Sequence, residues 1–268
     1  MVDRTQALKR LLDLPGVTDA VTAARDGVDG LLWDRSLRTK GLALAADVSL
    51  QCARSSAAID GIDLALMAWS SGSAFDDSPM GRAAAGMWRM ESELRSLLPV
   101  WTSAPTQALT RMHSLLVAEV VADDELGRPR SGQDVDDPLH IKALPGTDAM
   151  TVRLTALTDV VVASPVVPAV VEAAIVHGEL LALRPFRSGS GPIARAAMRL
   201  VLSARGLDPD LLVMTDVAIM SIGRPAYVSA IRGYATGTAD GVSDWIRFCA
   251  QATAVGARLS VERLAELE

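Results

Sequence analysis

The most informative part of the chain is the segment Leu183-Arg-Pro-Phe-Arg-Ser-Gly-Ser-Gly-Pro-Ile-Ala-Arg195. Apolar residues recur at helical spacing before it, in Val167–Leu183, and after it, in Ile193–Arg205. Its Gly-Ser-Gly run can turn the chain tightly and expose backbone N–H groups. Pro192 suits the first position of the helix that follows. The segment is therefore predicted to be the loop of a helix–loop–helix corner.

The same loop is a candidate binding site for an anion. The N-terminus of a helix carries partial positive charge, and arginines at both ends of this loop add to it. Guanidinium groups bind phosphate oxygens well. The candidate ligand-binding residues are Arg184, Arg187, Ser188, Gly189, Ser190, Gly191 and Arg195. The alternative is an ordinary corner in which Arg184 and Arg187 face solvent or pair with Glu179 and Asp60.

Helical periodicity continues outward from this corner over most of the 268 residues, which predicts an all-α fold. The predicted helices are Met1–Leu14, Asp19–Trp33, Leu37–Trp69, Asp77–Leu98, Thr106–Ala122, Ala149–Ala163, Val167–Leu183, Ile193–Arg205, Val217–Gly237 and Gly241–Glu268. The segment Asp123–Thr147 is rich in glycine, proline and acidic residues. Such a density of helix breakers predicts a loop there, with a short β-hairpin as its regular part.

Composition and charge exclude several classes of protein. The chain has 26 basic and 32 acidic residues and a net charge of −6, so it lacks the overall basic character of a nucleic-acid-binding protein. Its two cysteines, Cys52 and Cys249, form neither a disulfide framework nor a metal-site spacing. The most apolar stretch, Leu157–Val176, is interrupted by two prolines and two acids and does not predict a membrane span. We expect a cytoplasmic protein without a metal site.

The corner resembles the core motif of the Fic (filamentation induced by cAMP) family. That motif is His-Pro-Phe-x-x-Gly-Asn-Gly-Arg-x-x-Arg, carried on a helix–loop–helix. This chain keeps its proline, phenylalanine, two glycines and last arginine. The matching residues are Pro185, Phe186, Gly189, Gly191 and Arg195.

Three further regions resemble the family in the family's own order. The segments His177–Leu183 and Ala197–Gly206 are similar to the helices that flank the motif. Tyr227–Gly237 and Asp244–Phe248 are similar to its C-terminal helices. Arg54–Gly61 resembles the inhibitory helix motif Ser/Thr-x-x-x-Glu-Gly/Asn, with Ser56, Asp60 and Gly61 at the motif positions. Together the matches cover roughly residues 50–250.

The resemblance implies a Fic-like helical bundle with an N-terminal helical extension. It divides the chain into an N-terminal region with the inhibitory-like helix (residues 1–100), a Fic-like core (101–250) and the end of a C-terminal helix (251–268). The segment Asp123–Thr147 then lies where the family has a β-hairpin flap that docks its targets. Most members transfer AMP from ATP to a hydroxyl side chain of a target protein.

Four departures from the motif bear on that chemistry. Arg184 stands where the family has the histidine that accepts a proton, and a guanidinium cannot be that base. Ser188 replaces the acidic residue that holds Mg²⁺, and a lone hydroxyl is a poor anchor for a hard cation. Ser190 replaces the asparagine, and Pro192 replaces the first arginine, which leaves Arg195. Since losing a general base alone costs ~10²–10⁴-fold in rate, ordinary AMP transfer is not expected.

Three functional hypotheses follow. The first is a degenerate Fic-fold protein that binds a phosphorylated ligand, such as ATP, or a protein partner. The second is a transferase of nucleotidyl or phosphoryl groups with altered chemistry. The third is a purely structural interaction protein, and an oligomer is compatible with each. In the family, the inhibitory acid pairs with the last motif arginine, so we expect an ion pair between Asp60 and Arg195.

Other residues offer weaker candidates. His177 lies two helical turns before Arg184, about 10 Å along the helix, so a structural role in the core is favoured over that of a substitute base. His113 and His140 have no zinc-ligand spacing. The five tryptophans are read as core or interface anchors.

The run Gly189-Ser-Gly-Pro-Ile-Ala194 also fits a dinucleotide-binding fingerprint, with Asp208 and Asp210 about twenty residues on. That interpretation implies an NAD(P) oxidoreductase. It requires a strand before the loop, whereas the sequence predicts a helix there. It is therefore the least favoured alternative.

Overall fold

The computed structural model describes residues 4–141 and 143–267. Within them the chain forms twelve α-helices, two short 3-10 helices at Arg10–Asp13 and Asp123–Glu125, and no strand. The first six helices are α1 (Arg4–Lys9), α2 (Val17–Leu32), α3 (Leu37–Ile59), α4 (Leu66–Ser71), α5 (Pro79–Ser103) and α6 (Pro105–Val117). The others are α7 (Thr147–Val162), α8 (Ala169–Leu183), α9 (Ser190–Ala204), α10 (Thr215–Ile222), α11 (Arg224–Ala235) and α12 (Ala239–Glu266). The all-α prediction is confirmed.

The predicted β-hairpin in Asp123–Thr147 is wrong for the part of that segment that the structure describes. After the 3-10 helix Asp123–Glu125 the chain runs without regular structure to the start of α7. Several of its backbone carbonyls accept hydrogen bonds from arginine side chains rather than from a partner strand.

Helices α8 and α9 form the centre of the bundle. Both are buried on nearly all sides, which explains why α8 is apolar around its whole circumference rather than along one stripe. They pack against each other, and α5, α11 and α12 surround them. The loop between α8 and α9 is therefore held by two helices that cannot easily move.

The N-terminal helices are packed onto this bundle. Helix α2 lies along α12, and α3 contacts α5 and α10. A second, smaller apolar cluster joins α2, α3 and α12 to the residues before α10, with Leu31, Leu44 and Val213 fully buried in it. The expected division of the chain at residues 100 and 250 stays a prediction.

Three predicted helix boundaries are corrected by glycines with positive φ. The helix predicted over Leu37–Trp69 ends at Ile59, because Gly61 has φ of 99°. The helix predicted over Val217–Gly237 is broken at Gly223, where φ is 117°. Gly189, with φ of 72°, precedes α9, so Pro192 is the third residue of that helix and not the first.

The remaining differences are shifts of helix ends. The helix predicted over Thr106–Ala122 stops at Val117, and the one predicted over Met1–Leu14 consists of α1 and the 3-10 helix, with its first three residues outside the described part. No described helix combines the length and the apolar character that crossing a bilayer would need.

Candidate functional site

The loop between α8 and α9 is fixed by its own contacts. Arg184 ends α8 in the left-handed conformation, with φ of 43°. The Ser190 hydroxyl accepts from the Phe186 N–H at 3.3 Å and donates to the Phe186 carbonyl at 3.2 Å. The Phe186 ring is buried and stacks on His113 with 4.2 Å between the ring centroids. Phe186 thus anchors the loop in the helical core.

A cavity of about 440 Å³ lies over this loop. One wall is apolar and comes from α5, α6 and the residues after α6, namely Ala83, Met87, Leu116, Val117 and Val120. Further apolar lining comes from Ile62, Pro138, Leu139, Ile141 and Leu181. The polar lining residues are Asp60, Asp136, Asp137, Arg184 and Ser188. The first residues of α9 form the floor, so the N-terminus of this helix points into the cavity.

Arg184 is a buried, fixed cation at the edge of the cavity. Only 3% of the residue is exposed. Its Nη2 donates to the Ala143 carbonyl, and its Nη1 lies 3.6 Å from the Asp137 carboxylate. Among the described residues, its Nε and Nη1 find no hydrogen-bond partner. Burial lowers the pKa of Arg184, with Asp137 opposing, but a guanidinium stays protonated at neutral pH.

Arg195 is held by α3 and does not line the cavity. Its Nη2 donates to the Asp60 carboxylate at 2.9 Å and to the Ser56 carbonyl at 2.9 Å. Its Nε donates to the Ser56 hydroxyl at 2.7 Å. The expected ion pair with Asp60 is therefore formed, and Ser56 takes part in it. A ligand could reach Arg195 only by displacing these groups.

The Asp60 carboxylate lies beside the first turn of α9. A Cβ added to Gly191 would lie 2.8 Å from Asp60 Oδ2, so a larger residue there would force the Asp60 side chain to shift. A carboxylate at a helix N-terminus is stabilised by the exposed N–H groups and the helix dipole. Asp60 thus stands where an external anion would bind. Gly61, which follows it, adopts the positive φ described above and contributes no side chain.

Arg187 turns away from the cavity. Its guanidinium pairs with Asp134 at 2.9 Å and with Glu125 at 3.2 Å, and more than half of its side chain is exposed. The alternative pairing with Glu179 is wrong, because Glu179 pairs with Arg153 at 2.7 Å. The structure therefore splits the predicted ligand-binding set. Arg184, Ser188, Gly189, Ser190 and Gly191 line the cavity, whereas Arg187 and Arg195 do not.

The histidines do not supply a substitute base. His177 is fully buried, and its Nε2 hydrogen-bonds the Tyr227 hydroxyl at 2.7 Å. Burial lowers its pKa well below the usual value, and nearby Arg195 adds to this. His177 is thus a core residue. His113 accepts from the Gly127 N–H through Nδ1 at 2.9 Å, and burial lowers its pKa to about 4.

Sequence reasoning missed Arg130, which ties the loop to the segment that covers it. Arg130 is buried, and its Nε donates to the Arg184 carbonyl at 2.9 Å. Its Nη2 donates to the carbonyls of Pro145 at 2.7 Å and Leu183 at 3.3 Å. It lies between two glycine- and proline-rich stretches, where nothing in the sequence distinguishes it from a solvated arginine.

The residues present do not suit a Mg²⁺ ion. The cavity offers the Ser188 hydroxyl where a carboxylate is needed, and Asp60 and Asp137 are each engaged by an arginine. Among the described residues, no group of three or more His, Cys, Asp or Glu side chains could hold a metal ion. We therefore derive no step through a metal.

The dinucleotide interpretation is wrong. A helix, not a strand, precedes the loop, and the described residues contain no sheet. Asp208 is buried and accepts from the N–H groups of Leu212 and Val213, whereas Asp210 pairs with Arg95 at the surface. Both acids therefore have structural partners far from the loop.

Comparison with known proteins identifies the fold. No family model matches the chain, and no curated protein does. Among solved structures, a Fic family protein from Desulfovibrio desulfuricans G20 is similar, with a TM-score of 0.74 and 17% identity over 95% of this chain and 76% of that one. Fic-1 from C. elegans has a TM-score of 0.71 and 17% identity over 93% and 73% of the two chains.

A variant of the same C. elegans protein has a TM-score of 0.63 and 18% identity over 97% of this chain and 74% of that one. At this level of identity the likeness defines the fold. The chain therefore has a Fic-like, all-α fold, as its motif resemblance implied.

Proposed function

We propose that this Fic-fold chain acts by binding, without ordinary AMP transfer, and that its ligand carries a phosphate group. Support comes first from Arg184, which stands in place of the family's base and is held by Ala143 and Asp137. It can donate hydrogen bonds to an anion and cannot accept a proton. This single replacement turns the catalytic position into a binding position.

The surroundings of Arg184 suit a phosphate group. The first turn of a helix leaves its N–H groups without intrahelical partners, and here these belong to Ser190 and Gly191, while Pro192 has none. The Ser188 hydroxyl is buried and has no hydrogen-bond partner among the described residues. Two N–H groups, a hydroxyl and a guanidinium thus line the cavity and favour an anion there. The carboxylates of Asp60, Asp136 and Asp137 line it as well and oppose an anion.

Asp60 competes with the ligand for this end of the cavity. Its carboxylate lies beside the first turn of α9 and is paired with Arg195, so a phosphate that binds there must displace or approach it. The affinity of the wild-type chain for phosphate is therefore expected to be modest and to depend on the position of α3. No metal ion is needed for this binding, because the positive groups belong to the chain itself.

The experiment is calorimetric titration with inorganic phosphate, AMP and ATP, each with and without Mg²⁺. We expect binding that is independent of Mg²⁺ and is lost in Arg184→Ala. Arg187→Ala is the matched control, since this neighbouring arginine lies outside the cavity and should leave affinity unchanged. Binding that survives Arg184→Ala, or no binding of any probe, would overturn the proposal.

A second measurement tests the absence of transfer. The purified chain is incubated with ATP labelled in the adenosine moiety and Mg²⁺, in the presence of cell extract. We expect no label on protein. Labelled protein that depends on Arg184, Ser188 or Arg195 would instead establish a transferase with altered chemistry. A protein partner that binds the wild type and Arg184→Ala equally well would favour the third hypothesis, a structural interaction protein.

A further inference from the structure

One wall of the cavity is formed by an irregular segment, residues 128–141 and 143–146, here called the strap. The strap runs beside the loop that carries Arg184. The Arg130 N–H donates to the Pro185 carbonyl at 2.8 Å, and the Asp136 N–H donates to the Arg187 carbonyl at 2.8 Å. The strap thus uses part of its own backbone to hold the loop.

Two arginines of α11 bind carbonyls in the middle of the strap. Arg224 donates to the Pro138 carbonyl at 2.6 Å and with its Nε to the Ile59 carbonyl at the end of α3. Arg232 donates to the carbonyls of His140 at 2.9 Å and Leu139 at 3.2 Å. Both arginines lie on α11, so one rigid helix fixes the middle of the strap.

Two more arginines hold the ends of the strap. Arg184 donates to the Ala143 carbonyl. Arg130 donates to the carbonyls of Gly132 and Pro145, each at 2.7 Å. Inside the strap, the Asp137 carboxylate accepts from the Ile141 N–H at 2.9 Å. Four arginines therefore occupy six strap carbonyls: Gly132, Pro138, Leu139, His140, Ala143 and Pro145.

We infer that the strap closes this site to a polypeptide and makes the cavity a small-molecule site. An extended peptide docks on a neighbouring segment by pairing with a row of free N–H and C=O groups. In the part of the strap after Asp137, arginines bind the carbonyls of Pro138, Leu139, His140, Ala143 and Pro145, and the Ile141 carbonyl accepts from the Ala143 N–H. This part, whose residues 138, 139 and 141 line the cavity, therefore offers a peptide no row of free carbonyls. This inference rests on the proposed function and names its ligand class.

The cavity has the size and lining expected for such a ligand. Its volume of about 440 Å³ falls in the range of ~300–1,000 Å³ that is usual for small-molecule pockets. Met87, Leu116 and Val117 belong to its apolar lining. A phosphate ester with an apolar body can place its phosphate at Arg184 and its body against this wall. Burial of that body adds affinity that inorganic phosphate cannot gain.

The test compares three probes by calorimetric titration: inorganic phosphate, phenyl phosphate and a ten-residue phosphoserine peptide. We expect phenyl phosphate to bind at least tenfold more tightly than inorganic phosphate. The peptide is expected to bind no more tightly than inorganic phosphate, because its chain finds no partner on the strap.

The variant Val120→Asp tests the apolar wall. Val120 lines the cavity and is about half exposed, so the fold tolerates its replacement. We expect Val120→Asp to abolish the additional affinity of phenyl phosphate relative to inorganic phosphate. The matched control is Val152→Asp, on the exposed face of α7 and outside the cavity, which should keep the gain.

The outcomes separate this inference from the proposed function. If none of the three probes binds, the proposed function itself fails. If inorganic phosphate binds and phenyl phosphate binds no more tightly, the small-molecule inference is overturned, whereas the proposed anion site stands. A peptide that binds as tightly as phenyl phosphate overturns it as well.

Discussion

Asp60 and Arg195 form a two-point ion pair between the end of α3 and the first turns of α9. The distances are 2.9 Å from Oδ2 to Nη2 and 3.3 Å from Oδ1 to Nη1. Arg195 is 1% exposed, and its buried charge is compensated by this partner and by Asp216, whose carboxylate lies 3.5 Å from Nε. The shorter aspartate side chain reaches the arginine because Gly191 lets it approach the α9 backbone.

The first prediction concerns the energetic coupling of this pair. Removing one partner of a buried ion pair costs about 3–5 kcal/mol, because the other charge is left uncompensated. We expect Asp60→Ala and Arg195→Ala to destabilise the fold strongly, and the double variant to cost much less than their sum. Urea unfolding of the four proteins in the cycle measures this.

The surface pair of Arg187 and Asp134 provides the control cycle. Both side chains are largely exposed, so their coupling should be below about 1 kcal/mol. Full additivity in the Asp60–Arg195 cycle would show that the two side chains do not interact energetically.

The second prediction concerns Asp60 as a competitor of the ligand. Asp60→Asn keeps the size of the side chain and removes its negative charge from the N-terminus of α9. We expect the affinity for inorganic phosphate to rise about tenfold, which corresponds to ~1.4 kcal/mol. Asp134→Asn, outside the cavity, should leave the affinity unchanged. An unaltered dissociation constant in Asp60→Asn would mean that phosphate binds elsewhere.

The α8–loop–α9 corner could be predicted from sequence because its signals are local. The periodicity of both helices, the Gly-Ser-Gly run and the motif residues all lie within a few turns of each other. The predicted start of α9 is wrong for a local reason too. Because Gly189 has a positive φ, the helix begins at Ser190, two residues before Pro192. The pairing of Asp60 with Arg195 came from the resemblance, not from periodicity.

The strap could not be predicted, because its conformation is set at long range. Arg224 and Arg232 are more than eighty residues from the carbonyls they bind. In sequence they are ordinary helix arginines, and the strap is a run of breakers with no period. The separation of Arg187 from Arg184 has the same origin, since Arg187 pairs with Glu125 at the end of a 3-10 helix and with Asp134 in the strap.

The third prediction is a loss of stability in acid that involves His113. Burial lowers its pKa to about 4, whereas a histidine in the unfolded chain has a pKa near ~6.5. As the pH falls from 7 towards 4, the unfolded state therefore binds the proton first, and the free energy of unfolding falls.

Urea unfolding at pH 7 and pH 5 checks this for the wild type and His113→Gln. We expect a smaller difference between the two pH values in the variant. The difference should not vanish, because His177 is also buried and its pKa is lowered as well. His140→Gln, at an exposed position, is the control. An equal pH difference in His113→Gln and the wild type would contradict the assignment.

The last prediction concerns the crossing of α5 and α6, which supports the apolar wall. A Cβ on Gly86 would clash with the backbone carbonyl of Leu116, and a backbone atom cannot move aside as a side chain can. Gly86→Ala should therefore push the helices apart and cost about 1–3 kcal/mol. Because Leu116 and Val117 line the cavity, the variant should also bind phenyl phosphate more weakly.

Gly30→Ala on α2 is the matched control, since nothing lies within 4 Å of its added Cβ. An alanine there is expected to raise stability by about 0.4–1 kcal/mol through the lower entropy of the unfolded chain. Thermal unfolding should therefore show a lower Tm for Gly86→Ala and a higher Tm for Gly30→Ala. A Gly86→Ala protein as stable as the wild type would show that the two helices can separate without loss, and that the wall is not rigidly built.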